Sequence, residues 1–362
     1  MKDYRKLISK HRSAIMGLMA LLIIIYHAEW TTNINVYDMT INKFGSIGVD
    51  VFVFISGFGL AYALTKYDDF ATYISKRFGR ILPAYYTFEI INFIIALLLL
   101  LVGIKNNLLQ PIESWLIPVG VWVNYDSHKW YIAGILGFYI LAALIYPAMR
   151  RSKYLYLTVF FMLLITVLFV PFIADMSNMP LAVERIPALV IGLSVGVASL
   201  RKESKYKKTS LGLIYLIILC VIGISMYFLQ GKLPGTYLSK LVDESNIYVR
   251  QSLIAPLLAV LLAYIIEFFG YIHLNFIDKG LAWLGKLSLE LYLIHTLISG
   301  ILGITSLSKP LQVLITIILS VPAAMLLKCL SNKVLNLWRK LSKHLLTNDN
   351  NTMINVQNNQ SF

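Results

Sequence analysis

Apolar residues run along this chain in blocks of roughly twenty, parted by short polar stretches. An α-helix of that length crosses the hydrocarbon core of a bilayer. A membrane β-barrel would show short alternating segments instead, and those are absent. Ten blocks qualify, at 14–30, 45–64, 82–103, 131–149, 154–173, 186–200, 211–229, 249–270, 282–305 and 310–331. The stretch 111–123, "PIESWLIPVGVWV", is too short and too rich in proline and tryptophan to cross, and reads as an interfacial or re-entrant piece. The pattern predicts an all-α fold, a polytopic membrane helix bundle of about ten transmembrane helices.

Composition agrees: 58% of the residues are hydrophobic and 14% charged, where a soluble domain carries about 25% charged residues. The net charge of +14 points to no nucleic acid here. In a membrane protein, lysine and arginine hold cytoplasmic loops against anionic lipid. With the N-terminus inside, inner segments hold 23 Lys and Arg residues and outer loops 7. That asymmetry predicts N-in and C-in, and an odd number of spans would scramble it. Basic Met1–Arg12 before an apolar run imitates a signal peptide, but no small-residue cleavage site follows, so the run is expected to be the first span. Residues 1–346 form the membrane domain, and 347–362 are expected to be a disordered polar tail. Cys220 and Cys329 lie inside apolar runs, without metal-ligand spacing. No metal is expected.

Polar residues inside the blocks carry the chemistry. In "ALLIIIYHAEW" (20–30), His27 sits near the outer end of the first span. Counting about 1.5 Å per residue, Asp50 in span 2 and His295 in span 9 reach the same level. Ionisable side chains at membrane depth are costly and face an interior cavity. Each has a plainer reading: hydrogen-bonded packing for the histidines, and for Asp50 a favourable place near a helix N-terminus. Glu89 and Glu290 lie deeper and are expected to pair with Arg80 and Lys286. At the opposite, cytoplasmic end, "YISKRFGRILPAYY" holds Lys76, Arg77 and Arg80. Arginines three apart share a helical face and suit phosphate oxygens, although ordinary positive-inside charge explains them too. Pro83 just after them fits a helix start.

Six segments together resemble the acyltransferase-3 family of membrane-bound acyltransferases, which includes O-acetyltransferases of bacterial surface polysaccharides. They are "MGLMALLIIIYH" (16–27), "GVDVFVFISGFGL" (48–60), "RFGRILPAYY" (77–86), "KWYIAGILGFYILAALIYP" (129–147), "RIPALVIGLSVG" (185–196) and "LGKLSLELYLIH" (284–295). The resemblance implies a ten-helix bundle, an acyl-coenzyme A donor from the cytoplasm and an essential histidine, which maps to His27. The family's arginine pair maps to Arg77 and Arg80. One departure stands out. The family arginine eleven residues before the histidine is Met16 here, and Arg12, one turn nearer the cytoplasm, is the available substitute.

The expected activity is transfer of an acyl group, most simply acetyl, from acetyl-CoA to a hydroxyl of a cell-surface or lipid-linked glycan, at the inner or plasma membrane. Arg77, Arg80, Arg12 and Lys76 would hold the donor phosphates. His27 would act as base or as an acyl-accepting nucleophile. Asp50 would orient it, and His295 would contact substrate. The rival from another class is a glycan transporter or flippase, and a third reading is a non-catalytic relative that scaffolds glycan enzymes.

Overall fold

The computed structural model describes residues 3–29, 45–67, 69–104, 130–176, 180–201, 207–230, 232 and 247–359. These form twelve helices and, among the described residues, no strand. In chain order they are α1 (Tyr4–Glu29), α2 (Ile47–Leu64), α3 (Phe70–Leu101), α4 (Trp130–Arg151), α5 (Leu155–Met176) and α6 (Pro180–Val183). They continue with α7 (Ile186–Leu200), α8 (Lys207–Leu229), α9 (Ile247–Tyr271), α10 (Asn275–Gly285), α11 (Ser288–Gly303) and α12 (Lys309–Asn359). Helix α12 runs on past its apolar part through most of the polar stretch after Leu346. The predicted interfacial piece at 111–123 lies outside the described residues.

Among the described residues, eight helices are long and apolar enough to cross a membrane, and a ninth span results if α10 and α11 are taken together. The block predicted at 154–173 yields α5, whose described apolar part, Leu155–Val170, is shorter than those spans. Large apolar side chains cover the outside of the bundle, including Ile90, Phe93, Leu97 and Leu101 on α3 and Ile214, Ile218 and Val221 on α8. A surface this apolar suits lipid. The fold is a multi-pass membrane helix bundle.

The helices depart from the sequence pattern at two places that bear on the site. The apolar block 282–305 breaks into α10 and α11, which meet at 73°. Helix α3 starts at Phe70 rather than at residue 82, because Asp69 caps it: its side chain accepts a hydrogen bond from Thr72 N at 2.7 Å. Pro83 therefore lies inside α3, and Arg77 and Arg80 project from a continuous helix instead of preceding one.

Helix α1 is the centre of the bundle and packs against α2, α7, α9, α10, α11 and α12. Helices α2 and α7 approach closely along Gly192 and Gly196, four residues apart, where an added Cβ would meet the Phe54 and Phe58 carbonyls. Small residues at that spacing are how membrane helices interlock. Near the start of α1, buried His11 ties three helices. Its Nε2 lies 2.7 Å from Glu267 on α9, and its Nδ1 3.1 Å from Asp278 on α10.

Backbone contact completes that dock, since a Cβ on Gly285 would collide with the Ser13 carbonyl oxygen. Backbone cannot retreat as a side-chain tip can. Gly285→Ala is therefore expected to destabilise the protein by about 1–3 kcal/mol, the usual range for overpacking. Thermal unfolding in detergent beside Gly280→Ala, where the added carbon meets open space, checks this; equal melting of the two variants would contradict it.

Candidate active site

An arginine-lined cavity, and a histidine pair one turn of α1 beyond its lining, are built largely on one face of α1. Residues 12, 16, 20, 23 and 27 follow a helical spacing of three or four and so share a stripe. Arg12, Met16, Ala20 and Ile23 line the cavity, and His27 stands one turn beyond Ile23. From Arg12 to His27 the stripe rises on the order of 22 Å. The cavity is narrow, with a volume of about 70 Å³, and is open at its mouth. Its other walls come from α2 through Phe52, Ser56 and Leu60, from α4 through Tyr131 and Tyr139, and from α11 through Leu289 and Tyr292.

At the end where α1 starts, Arg12, Arg77 and Arg80 converge on the cavity. Among the described residues none of the three forms an ion pair with a carboxylate. Arg77 rests against the rings of Tyr73 and Tyr139, at 5.8 and 6.0 Å, and its Nε is buried without a hydrogen-bond partner among the described residues. Arg12 is half-buried, and its guanidinium lies flat on α2 at Gly59, where an added Cβ would sit 2.6 Å from Cζ. Only glycine leaves that room. Met16 lines the same cavity one turn further in. The cation expected at position 16 is thus replaced by apolar wall, while Arg12 reaches the cavity from below. Three guanidinium groups around one space, with Glu290 facing Arg80 from the neighbouring hollow, are chemically suited to an anion with several oxygens, phosphate above all.

At the other end two imidazoles meet. His27 Nδ1 lies 2.7 Å from His295 Nε2, and the rings are within 7° of parallel. His295 is fully buried, and its Nδ1 lies 2.9 Å from the Leu291 carbonyl oxygen. A carbonyl only accepts, so His295 Nδ1 carries a proton, and the neutral ring offers Nε2 as acceptor. His27 Nδ1 must then donate. This fixes the His27 tautomer and leaves the lone pair on Nε2, the arrangement a general base requires. Tyr292 and Tyr131 continue the aromatic contact from His295 to the cavity, with centroid distances of 6.0 and 5.0 Å.

Asp50 lies in the first turn of α2 and is completely buried. Its partners differ from the expectation. Ser252 on α9 donates to Oδ1 at 2.7 Å, and Arg185 Nε stands 3.7 Å from Oδ2. His295, and not Asp50, is the residue hydrogen-bonded to His27 Nδ1. Beside Asp50 stands Arg185, which the hydropathy pattern alone counts among the outer-loop charges. It is 2% exposed, donates to the Leu181 carbonyl, and lies over the rings of Trp130 and Tyr248 at 4.8 and 4.1 Å. Its only sequence signal was its place beside "IPALVIG", and its aromatic partners are far away in the chain. Lys76 is exposed and lines a second hollow with Arg80, Lys286 and Glu290. Among the described residues no group of His, Cys, Asp and Glu is arranged to hold a metal ion.

The bundle thus combines a lipid-facing apolar surface with an arginine-lined cavity and, beyond it, a paired histidine. The comparison with known families makes this specific. A family model described as an acyltransferase domain matches residues 15–329, so the chain belongs to the acyltransferase-3 family and is a membrane acyltransferase. No curated protein and no solved structure matches it.

Proposed function

We propose that the protein transfers an acyl group, acetyl in the simplest case, from acyl-coenzyme A to a hydroxyl of a cell-surface or lipid-linked glycan at the plasma membrane. What carries this reading is the single face of α1 that runs from an arginine cluster along an apolar bore to His27. With the N-terminus inside, the arginines open to the cytoplasm, where the donor is found. Arg77, Arg80 and Arg12 hold its phosphates, and the pantetheine arm extends past Met16, Ala20 and Ile23. The thioester then lies beneath the histidine pair, and the acceptor arrives from the far side.

His27 Nε2 takes the proton of the acceptor hydroxyl as its oxygen attacks the thioester carbonyl. The C–S bond breaks, and the departing thiolate recovers that proton from the imidazolium. His295 positions the ring by accepting from Nδ1, a bond that strengthens as His27 becomes charged. Asp50, bonded to Ser252 and facing Arg185, supports a counter-ion role that fixes α2 and the start of α7.

Turnover of acetyl-CoA labelled in the acetyl group, followed in the full-length protein in native membranes, tests the reading. Label moving to glycan, or released as acetate, is expected. A flippase would consume no donor, and that result would sink the proposal. The same assay tests the phosphate site. Arg12→Gln is expected to raise the donor KM roughly tenfold, as for one charge-assisted bond. Gly59→Ala is expected to do nearly the same by pushing the Arg12 guanidinium aside. A Gly59→Ala enzyme with wild-type KM would remove Arg12 from the donor site.

A further inference from the structure

A second hollow adjoins the donor cavity. It has a volume of about 1010 Å³, open to solvent, between α3, the α10–α11 junction and the later part of α12. Its charged lining is Lys76, Arg80, Lys286, Lys328 and Arg339 against one acid, Glu290. Arg80 lines both hollows, so they meet at its side chain. Lys328 donates to the Lys286 carbonyl oxygen, which joins α12 to the bend and brings two of the cations together. Asn332 and Asn336, four residues apart on one face of α12, add amide donors and acceptors.

Positive-inside charge alone would scatter these cations over convex loops. Here five of them, drawn from three separate segments, face one concavity. Membrane-facing α12 needs none of them to cross a bilayer. A ligand filling both hollows must carry an anionic group where Arg12, Arg77 and Arg80 converge, then a second, separate anionic group beyond Arg80, with a polar ring system that amides can bond. Coenzyme A has this outline: a diphosphate joined to pantetheine, and a 3′-phosphate on an adenosine at the far side.

We propose that this hollow is the nucleotide subsite of the donor, in which Lys286, Lys328 and Arg339 bind the 3′-phosphate and so select coenzyme A thioesters over pantetheine carriers lacking it. The inference rests on the acyl-coenzyme A reading above. A phosphate is the shared chemistry, and an anionic lipid headgroup is its other source.

Binding of CoA and of dephospho-CoA to the full-length protein in phosphatidylcholine nanodiscs tests it. Wild type is expected to bind CoA about tenfold more tightly, the equivalent of about 1.4 kcal/mol. Lys286→Gln/Arg339→Gln is expected to bring CoA down to the dephospho-CoA value and leave the latter unchanged. The wild-type comparison stands even if the double variant fails to fold. Equal binding of the two ligands by wild type overturns the subsite and leaves the donor reading intact, whereas binding of neither overturns the donor reading and the subsite with it. If the hollow holds lipid phosphate, the two ligands bind alike and the double variant loses only co-purifying phosphatidylglycerol, which also overturns the proposal.

Discussion

His27→Ala is expected to lower acyl transfer by about 10²- to 10⁴-fold, the usual contribution of a positioned general base, with little change in thermal stability. Stability should hold because His27 is only half-buried near the end of α1, unlike the core residues whose loss opens a cavity. His295 separates base from positioner. Its imidazole touches the base and not the proton being moved, so its loss should reduce kcat while leaving the donor KM alone. His295→Phe removes the acceptor for His27 Nδ1 and is expected to cost most of the rate. His295→Gln retains a carbonyl acceptor of comparable reach and should recover part of it. Full activity in His295→Phe would mean that the 2.7 Å contact is packing only. A labelled acyl group trapped on His27 would replace base catalysis by a covalent step without moving either histidine.

Helix content, and the common level of His27 and His295 within the bundle, were legible in the sequence because both follow from counting. Apolar block length sets where helices run, and a rise of about 1.5 Å per residue put His27 and His295 at one height, where they meet. Rotation about each helix axis is not countable in this way. Asp50 shares that height, but its turn of α2 faces Ser252 and Arg185. Hydropathy also carries no direction, so the run through Leu284–Leu289 concealed a 73° bend, although Gly285 marked it. Arg185 carries no such signal in the sequence. A cation just outside an apolar block looks like a loop charge until Trp130 and Tyr248, from distant segments, close over it.

Asp50→Ala is expected to be the most destabilising single change in the half of the bundle that holds the histidine pair, by about 3–5 kcal/mol, because it strands a buried guanidinium. Arg185 is 2% exposed and Asp50 fully buried, so water cannot compensate either. Asp50→Asn keeps a group for Ser252 to bond and should cost less, but it still leaves Arg185 without a counter-charge. Removing both charges, as in Asp50→Asn/Arg185→Met, should therefore recover stability relative to the sum of the single changes. A coupling of about 0.5–3 kcal/mol is expected for groups in contact. Urea or thermal unfolding of the four proteins in one detergent yields that coupling directly, and transfer rates measured on the same samples supply the contrast. If Asp50 serves as counter-ion, activity should track the folded fraction across all four. A folded Asp50→Asn protein with lost transfer and no coupling to Arg185 would mean that the carboxylate acts on His27 in the working enzyme, and that the pairing with Arg185 gives way when substrate binds.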